Sequence, residues 1–190
     1  VSIFCSDTGT DLESAVRTAC GVTHAHPLGI GSSYLQARSV ARAFEREPAS
    51  GIDPVSWVRD LRDDLPGNLD PDGVLEEKVQ IVEDLIDGSD EPQPAQRIVD
   101  YLGVTSQAFE SVPASIYSFL VHPDSFRDAL VYAVGLGGDT DTVGAMTGAL
   151  AGAYRGVSSI PDSWWEQLEN DEDGRDNVVQ LARDLVGLTP

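Results

Sequence analysis

Asp139 and Asp141, with Thr142 beside them in the run Gly137-Gly138-Asp139-Thr140-Asp141-Thr142, are the residues of this chain best suited to chemistry. Two carboxylates and a hydroxyl form a set of hard oxygen donors of the kind that holds Mg²⁺, Ca²⁺ or Mn²⁺. Residues two apart do not share a face of a regular helix, where neighbours stand three or four apart. The pair converges only if the chain is still turning, and Gly137-Gly138 gives the backbone that freedom and lets a ligand approach closely. At a helix start the carboxylates would also meet the positive end of the dipole. The plainer alternative makes Asp139 an N-cap, with Asp141 and Thr142 in the first turn. A Ca²⁺ loop of the helix-loop-helix kind, counted from Asp139, puts Gly144 at its sixth position. It offers no oxygen ligand at Val143, the fifth, or Leu150, the twelfth, and is excluded.

The elements that must position these groups read as helix after helix. Val143 to Tyr154 follows the motif, with Gly144, Gly148 and Gly152 in one stripe and Ala145, Ala149 and Ala153 alongside. Each interior glycine costs about 1 kcal/mol relative to alanine, so the stripe implies close backbone approach in a tightly packed central helix. Upstream, Asp11 to Val22 carries Leu12, Ala15, Val16 and Ala19 at helical spacing, with Asp11 as a cap. Pro27 and Gly29-Ile30-Gly31 break the pattern, and Ser32 to Arg46 restarts it. Pro54 to Asp64, Leu75 to Ile86, Pro94 to Leu102, Pro113 to Val121 and Pro123 to Val134 follow, the last opening on a first-turn proline. Trp164 to Leu168 and Asn177 to Leu185 close the chain. No alternating strand of useful length and no solenoid repeat stands out, and Glu91-Pro92-Gln93-Pro94 is too short to separate domains.

His24 and His26 stand beside Pro27, where a helix C-terminus would favour an imidazole, and His122 before Pro123 reads as a loop residue. Trp57, Trp164, Trp165, Tyr117 and Phe119 read as packing residues.

Several stretches carry a resemblance. Ser111-Val112-Pro113-Ala114, Phe126-Arg127-Asp128-Ala129-Leu130 and Gly137 to Gly156 look like the C-terminal signature of the ADP-ribosylglycohydrolase family. Thr23-His24-Ala25-His26-Pro27 resembles that family's Thr-His segment, and Ile160-Pro161-Asp162-Ser163-Trp164 the stretch after its last signature helix. Matches run along most of the chain and are least diagnostic between Pro48 and Thr105.

The resemblance implies a single-domain, all-α orthogonal helical bundle with two divalent ions, Mg²⁺ or in some members Mn²⁺, at the base of a cleft for ADP-ribose. The implied reaction is hydrolysis of the glycosidic bond between ADP-ribose and an acceptor on a modified protein or a small ADP-ribose conjugate. Carried over by motif, Asp139, Asp141 and Thr142 are metal ligands, with Asp139 and Asp141 catalytic and Asp141 bridging both ions. His24 and Gly138 contact the substrate. Family motifs that precede these, a Gly-Asp-rich opening with a Glu, a Thr-Asp-Asp segment and a Gly-Asn-Gly loop, have no counterpart here. On this comparison residues 1–190 are the C-terminal portion of one such domain, with half a metal site and the main acid/base carboxylate lying elsewhere. Gly135, where many relatives carry a polar residue, is a further departure. The other class of function that the resemblance admits is a non-catalytic structural or ADP-ribose-binding relative. Such relatives usually alter the aspartate pair, which is intact here.

At 190 residues, one domain with a substantial core is expected. The formal net charge is −20, and eleven of the twelve basic residues are arginines, Lys78 being the exception. Good hydrophobic patterning beside the acids argues against disorder. We read the surface as salt-adapted, because screening over about 3 Å at 1 M salt relieves its self-repulsion. The same charge opposes non-specific binding to nucleic acid or anionic membrane. It opposes an anionic pyrophosphate too, unless bound cations reverse the local sign. Cys5 and Cys20 are the only cysteines and are expected to be reduced. With no span of about 20 apolar residues, the expectation is a cytoplasmic monomer. Urea unfolding in low and in molar KCl tests the salt reading: stability should rise with KCl, and equal stability in both would dismiss it.

Overall fold

The computed structural model describes residues 1–89 and 91–187, and every regular element among them is helical. The order is α1 (Ser2–Thr8), α2 (Leu12–Cys20), α3 (Pro27–Glu45), α4 (Pro54–Asp63), α5 (Val74–Asp87) and α6 (Ala95–Tyr101). Then come α7 (Ala108–Leu120), α8 (Phe126–Gly135), α9 (Thr140–Arg155), α10 (Asp162–Trp165) and α11 (Arg175–Gly187). Single 3-10 turns lie at Pro48–Ser50 and Val157–Ser159. The all-α reading therefore holds.

The axis of the core is α7, on which every residue from Ser111 to Leu120 is buried. Its serines tolerate burial because their hydroxyls bond carbonyls of the same helix: Ser118 to Ala114 at 2.7 Å and Ser115 to Val112 at 2.8 Å. Helices α3, α5, α8 and α9 pack around it. Gln36 of α3 ties three of them, donating to the Met146 carbonyl of α9 at 3.1 Å and accepting from Ser115 at 3.3 Å. Thr147 adds a bond to the Ser115 carbonyl. Trp57, Tyr117 and Phe119 are fully buried, as packing residues should be.

Helix α9 packs among α3, α7 and α8, the close neighbours that the glycine stripe implied, with one face left exposed. Val143, Gly144, Thr147, Leu150, Ala151 and Tyr154 are inside, whereas Asp141, Ala145 and Ala149 are exposed. The stripe receives a ridge of α8. Val134 lies 3.3 Å from where a Cβ on Gly144 would be, Leu130 lies 3.7 Å from that of Gly148, and Phe126 lies 3.8 Å from that of Gly152. Spaced four apart on each helix, these form an antiparallel ridge-in-groove contact. Only Gly144 is tight.

Several helix ends differ from the sequence reading. Pro27 does not break a helix but starts α3, since a first-turn proline loses no intrahelical bond. His26 caps α3 by accepting the Leu28 N–H at 3.3 Å, so it does not belong to the end of α2. Pro113 lies inside α7, which begins at Ala108, and α8 begins after Pro123 with Ser125 as its cap. Helix α1 was not anticipated, and α10 lies earlier than expected. Asp11 caps α2 as predicted, accepting the Ser14 N–H at 2.8 Å. Both cysteines are free thiols.

Two predictions follow from this packing. A Cβ on Gly31 would lie 2.5 Å from the Leu69 carbonyl oxygen, whereas one on Gly148 makes ordinary contact. Gly148→Ala should stabilise the fold by about 0.5–1 kcal/mol through helix propensity, while Gly31→Ala destabilises it, both read by chemical denaturation. Asp64 bonds Arg38 at 2.8 Å and Arg42 at 3.0 Å. Burial pushes its carboxyl up, and the two guanidinium groups outweigh that and hold it below the usual range. A depressed folded pKa contributes stability above the unfolded value near pH 4 and loses it as pH falls through the folded one. Asp64→Asn should therefore lose up to about 1 kcal/mol at pH 7, screened by partial exposure, and match wild type once Asp64 is protonated.

Candidate metal and substrate site

The bend before α9 is built by backbone contact. Gly137 and Gly138 have φ of +79° and +67°, the left-handed region that glycine favours. A Cβ on Gly138 would collide with the carbonyl oxygen and the side chain of Val104. The same carbonyl accepts the Asp139 N–H at 2.8 Å. The chain therefore leaves α8, doubles back over the Leu102–Thr105 segment and enters α9 at Thr140.

Asp139 holds the position before the first helical residue but makes no side-chain capping bond. Its side chain is instead the first cause holding the Asp141 carboxyl below the usual carboxylate range. The N–H groups of Thr142 and of Asp141 itself add to the effect, against a small opposing effect of burial. Asp141 is exposed, and Asp139 and Thr142 are half-buried. Asp139 thus stands at the N-cap position with Asp141 and Thr142 in the first turn, as the plainer sequence reading has it, but its side chain is not spent on capping and stays available to a ligand.

Two carboxylates and an adjacent hydroxyl, open to solvent at the bend, are the hard oxygens a divalent cation takes. Among the described residues no group of three or more His, Cys, Asp or Glu side chains gathers around a point. The donor set thus fits such an ion without completing its coordination shell, which for Mg²⁺ is about six oxygens.

His24 follows α2, its N–H bonding the Cys20 carbonyl at 2.7 Å. Its Nδ1 pairs with the Thr23 hydroxyl at 2.8 Å, which orients the ring, and the ring rests over Gly29 in the first turn of α3. Nε2 is the nitrogen left for another partner. A relay of contacts runs from this turn towards the aspartates. Gly31 of α3 abuts Leu69 and Leu75, Lys78 one turn along α5 bonds the Tyr101 and Leu102 carbonyls, and Val104 abuts Gly138. The N-terminal ends of α3, α5 and α9 are thereby linked at one end of the bundle. No hydrogen bond joins His24 to Asp139 or Asp141 among the described residues. His122 packs on Tyr132 at 5.5 Å between ring centroids, as a loop residue should.

Sequence reasoning missed Lys78, the Leu102–Thr105 segment and Glu110. The available signals were a lone lysine in an arginine-rich chain and a glycine directly after a short helix. A groove of about 940 Å³ between residues 157 and 183 lies beyond the other end of α9, a helix about 24 Å long. It takes no part in this site.

The sequence model of the ADP-ribosylglycohydrolase family matches residues 1–190. The chain is 34% identical over 182 residues to ADP-ribosylhydrolase ARH3 of Homo sapiens, covering 86% of this chain and 50% of that protein. The Danio rerio ARH3 is 30% identical over 198 residues, covering 94% and 52%. An ADP-ribosyl-dinitrogen reductase glycohydrolase of Rhodospirillum rubrum is 36% identical over 69 residues, 36% of this chain and 24% of its own. The chain spans about half the length of the ARH3 relatives it matches. A match along the whole chain, resting on an all-helical fold and the Gly-Gly-Asp-Thr-Asp-Thr bend, makes this protein a member of the ADP-ribosylglycohydrolase family.

Proposed function

We propose that the protein is a divalent-metal-dependent hydrolase that cleaves the glycosidic bond between ADP-ribose and an acceptor. The acceptor is a modified protein side chain or a related small conjugate. The observation that carries this reading is the Gly137-Gly138 bend that sets Asp139, Asp141 and Thr142 at the start of α9 with the Asp139 side chain not used as a helix cap. The intact pair with Thr142 favours an enzyme over a non-catalytic relative.

Asp139, Asp141 and Thr142 would supply part of the ligand set for two Mg²⁺, or Mn²⁺ in their place. When bound, such ions polarise ribose hydroxyls and lower the pKa of a coordinated water. The two aspartates offset the ions' charge, and their own negative field is what makes ions necessary for an anionic pyrophosphate to approach. Gly138 packs on Val104 where a side chain would stand, and its exposed backbone beside Asp139 would meet the substrate. His24, oriented by Thr23, presents Nε2 to a ribose hydroxyl or a phosphate. The transition state is oxocarbenium-like, as in other glycoside hydrolysis, and needs a carboxyl for proton transfer.

Among the described residues no helix is long and apolar enough to cross a membrane. We place the protein in the cytoplasm as a monomer with a salt-adapted surface.

In the full-length protein, Asp141→Ala should lower metal-dependent release of ADP-ribose by about three orders of magnitude or more, as expected when a group acts only in the transition state. Calorimetry with ADP-ribose, with and without Mg²⁺, should show binding that depends on the ion. Wild-type turnover in the variant defeats the assignment, and ion uptake without ADP-ribose affinity favours a plain cation-binding module.

A further inference from the structure

Lys78 is the only lysine in the chain, and its ammonium donates to two successive backbone carbonyls, Tyr101 at 3.0 Å and Leu102 at 2.8 Å. It reaches from α5 to the C-terminal end of α6, where the last carbonyls lack intrahelical partners and attract positive charge. A compact ammonium with three donors suits carbonyls that fan out around a helix end, whereas the planar fork of arginine matches carboxylates. Gly103 comes next, with φ of +82° and no room for a side chain beneath the Glu110 carboxylate. From the other side, the Thr105 hydroxyl donates to Glu110 Oε2 at 2.6 Å.

Val104 lies between these two anchors. Its carbonyl takes the Asp139 N–H and occupies the space that any side chain at Gly138 would need. Asp139 makes no cap of its own, so the path of the bend follows the position of that carbonyl.

We propose that Lys78 is a positioning residue for Asp139: through Leu102 and Val104 it sets the bend on which Asp139 enters α9 ahead of Asp141, and with it the affinity of that pair for a divalent cation. This rests on the metal reading given under the proposed function.

The experiment compares wild type, Lys78→Met and Lys78→Arg in the full-length protein, using amide hydrogen exchange without metal and Mg²⁺ titration by calorimetry. In Lys78→Met the Asp139 amide should exchange about tenfold faster while α7 amides keep wild-type rates, the loss expected for one charge-assisted bond. Mg²⁺ should bind about tenfold more weakly, the scale set by outer partners of metal ligands. Lys78→Arg, which keeps charge and donors, should recover part of both. Wild-type exchange at Asp139 in Lys78→Met overturns the proposal, as does faster exchange with unchanged Mg²⁺ affinity. If Lys78→Met does not fold, Thr105→Val loosens the opposite anchor and must show the same two changes, wild-type values there overturning it. A wild-type protein that binds no Mg²⁺ sinks the metal reading itself, and this inference with it.

Discussion

One backbone hydrogen bond, from the Asp139 N–H to the Val104 carbonyl, joins the segment after α6 to the bend before α9. The surrounding geometry answers to it. Gly138 has to be glycine twice over, for its positive φ and for the carbonyl packed against it. With its amide directed at Val104, Asp139 sits just outside the helix and leaves the first turn of α9 without a side-chain cap. Its side chain, not spent on a cap, then stands beside Asp141 in the first turn and is the first cause that holds that carboxyl below the usual range.

The bundle keeps both partners of that bond in place. Helix α7, buried along most of its length, is the surface against which α3, α5, α8 and α9 are assembled. Gln36 fixes α3 to α9 and α7, and the ridge of Phe126, Leu130 and Val134 seats α8 in the glycine groove of α9. The start of α9 is thus held by three neighbours while its first-turn acids face solvent. Acidic side chains elsewhere are only partly neutralised by arginines, as at Asp60 and Asp64, leaving a surface whose field favours cations over a free pyrophosphate.

Much of the helical pattern could be read directly. Leu75 to Ile86 falls within α5, Pro54 to Asp63 is α4, and Asp11 caps α2, because apolar periodicity and capping chemistry are local signals. Prolines misled. Pro27 begins a helix, Pro113 lies inside one and Pro123 precedes one, and the same residue type serves all three according to what the neighbouring helices stabilise. The glycine stripe was legible as a packing groove. Which helix was buried all round was not, because burial depends on the number of neighbours and not on the small size of the side chains.

By itself the sequence determined the chemistry available at the site: hard oxygen donors at Asp139, Asp141 and Thr142, two glycines to free the backbone before them, and a threonine beside His24. These properties belong to residue types and short spacings. Whether the Asp139 side chain would be spent on capping α9 was decided only in three dimensions, where a carbonyl from a distant stretch of chain takes its amide. That stretch is held between Lys78 and Glu110, whose residue types can be singled out in the sequence but whose partners are backbone groups brought close only by folding.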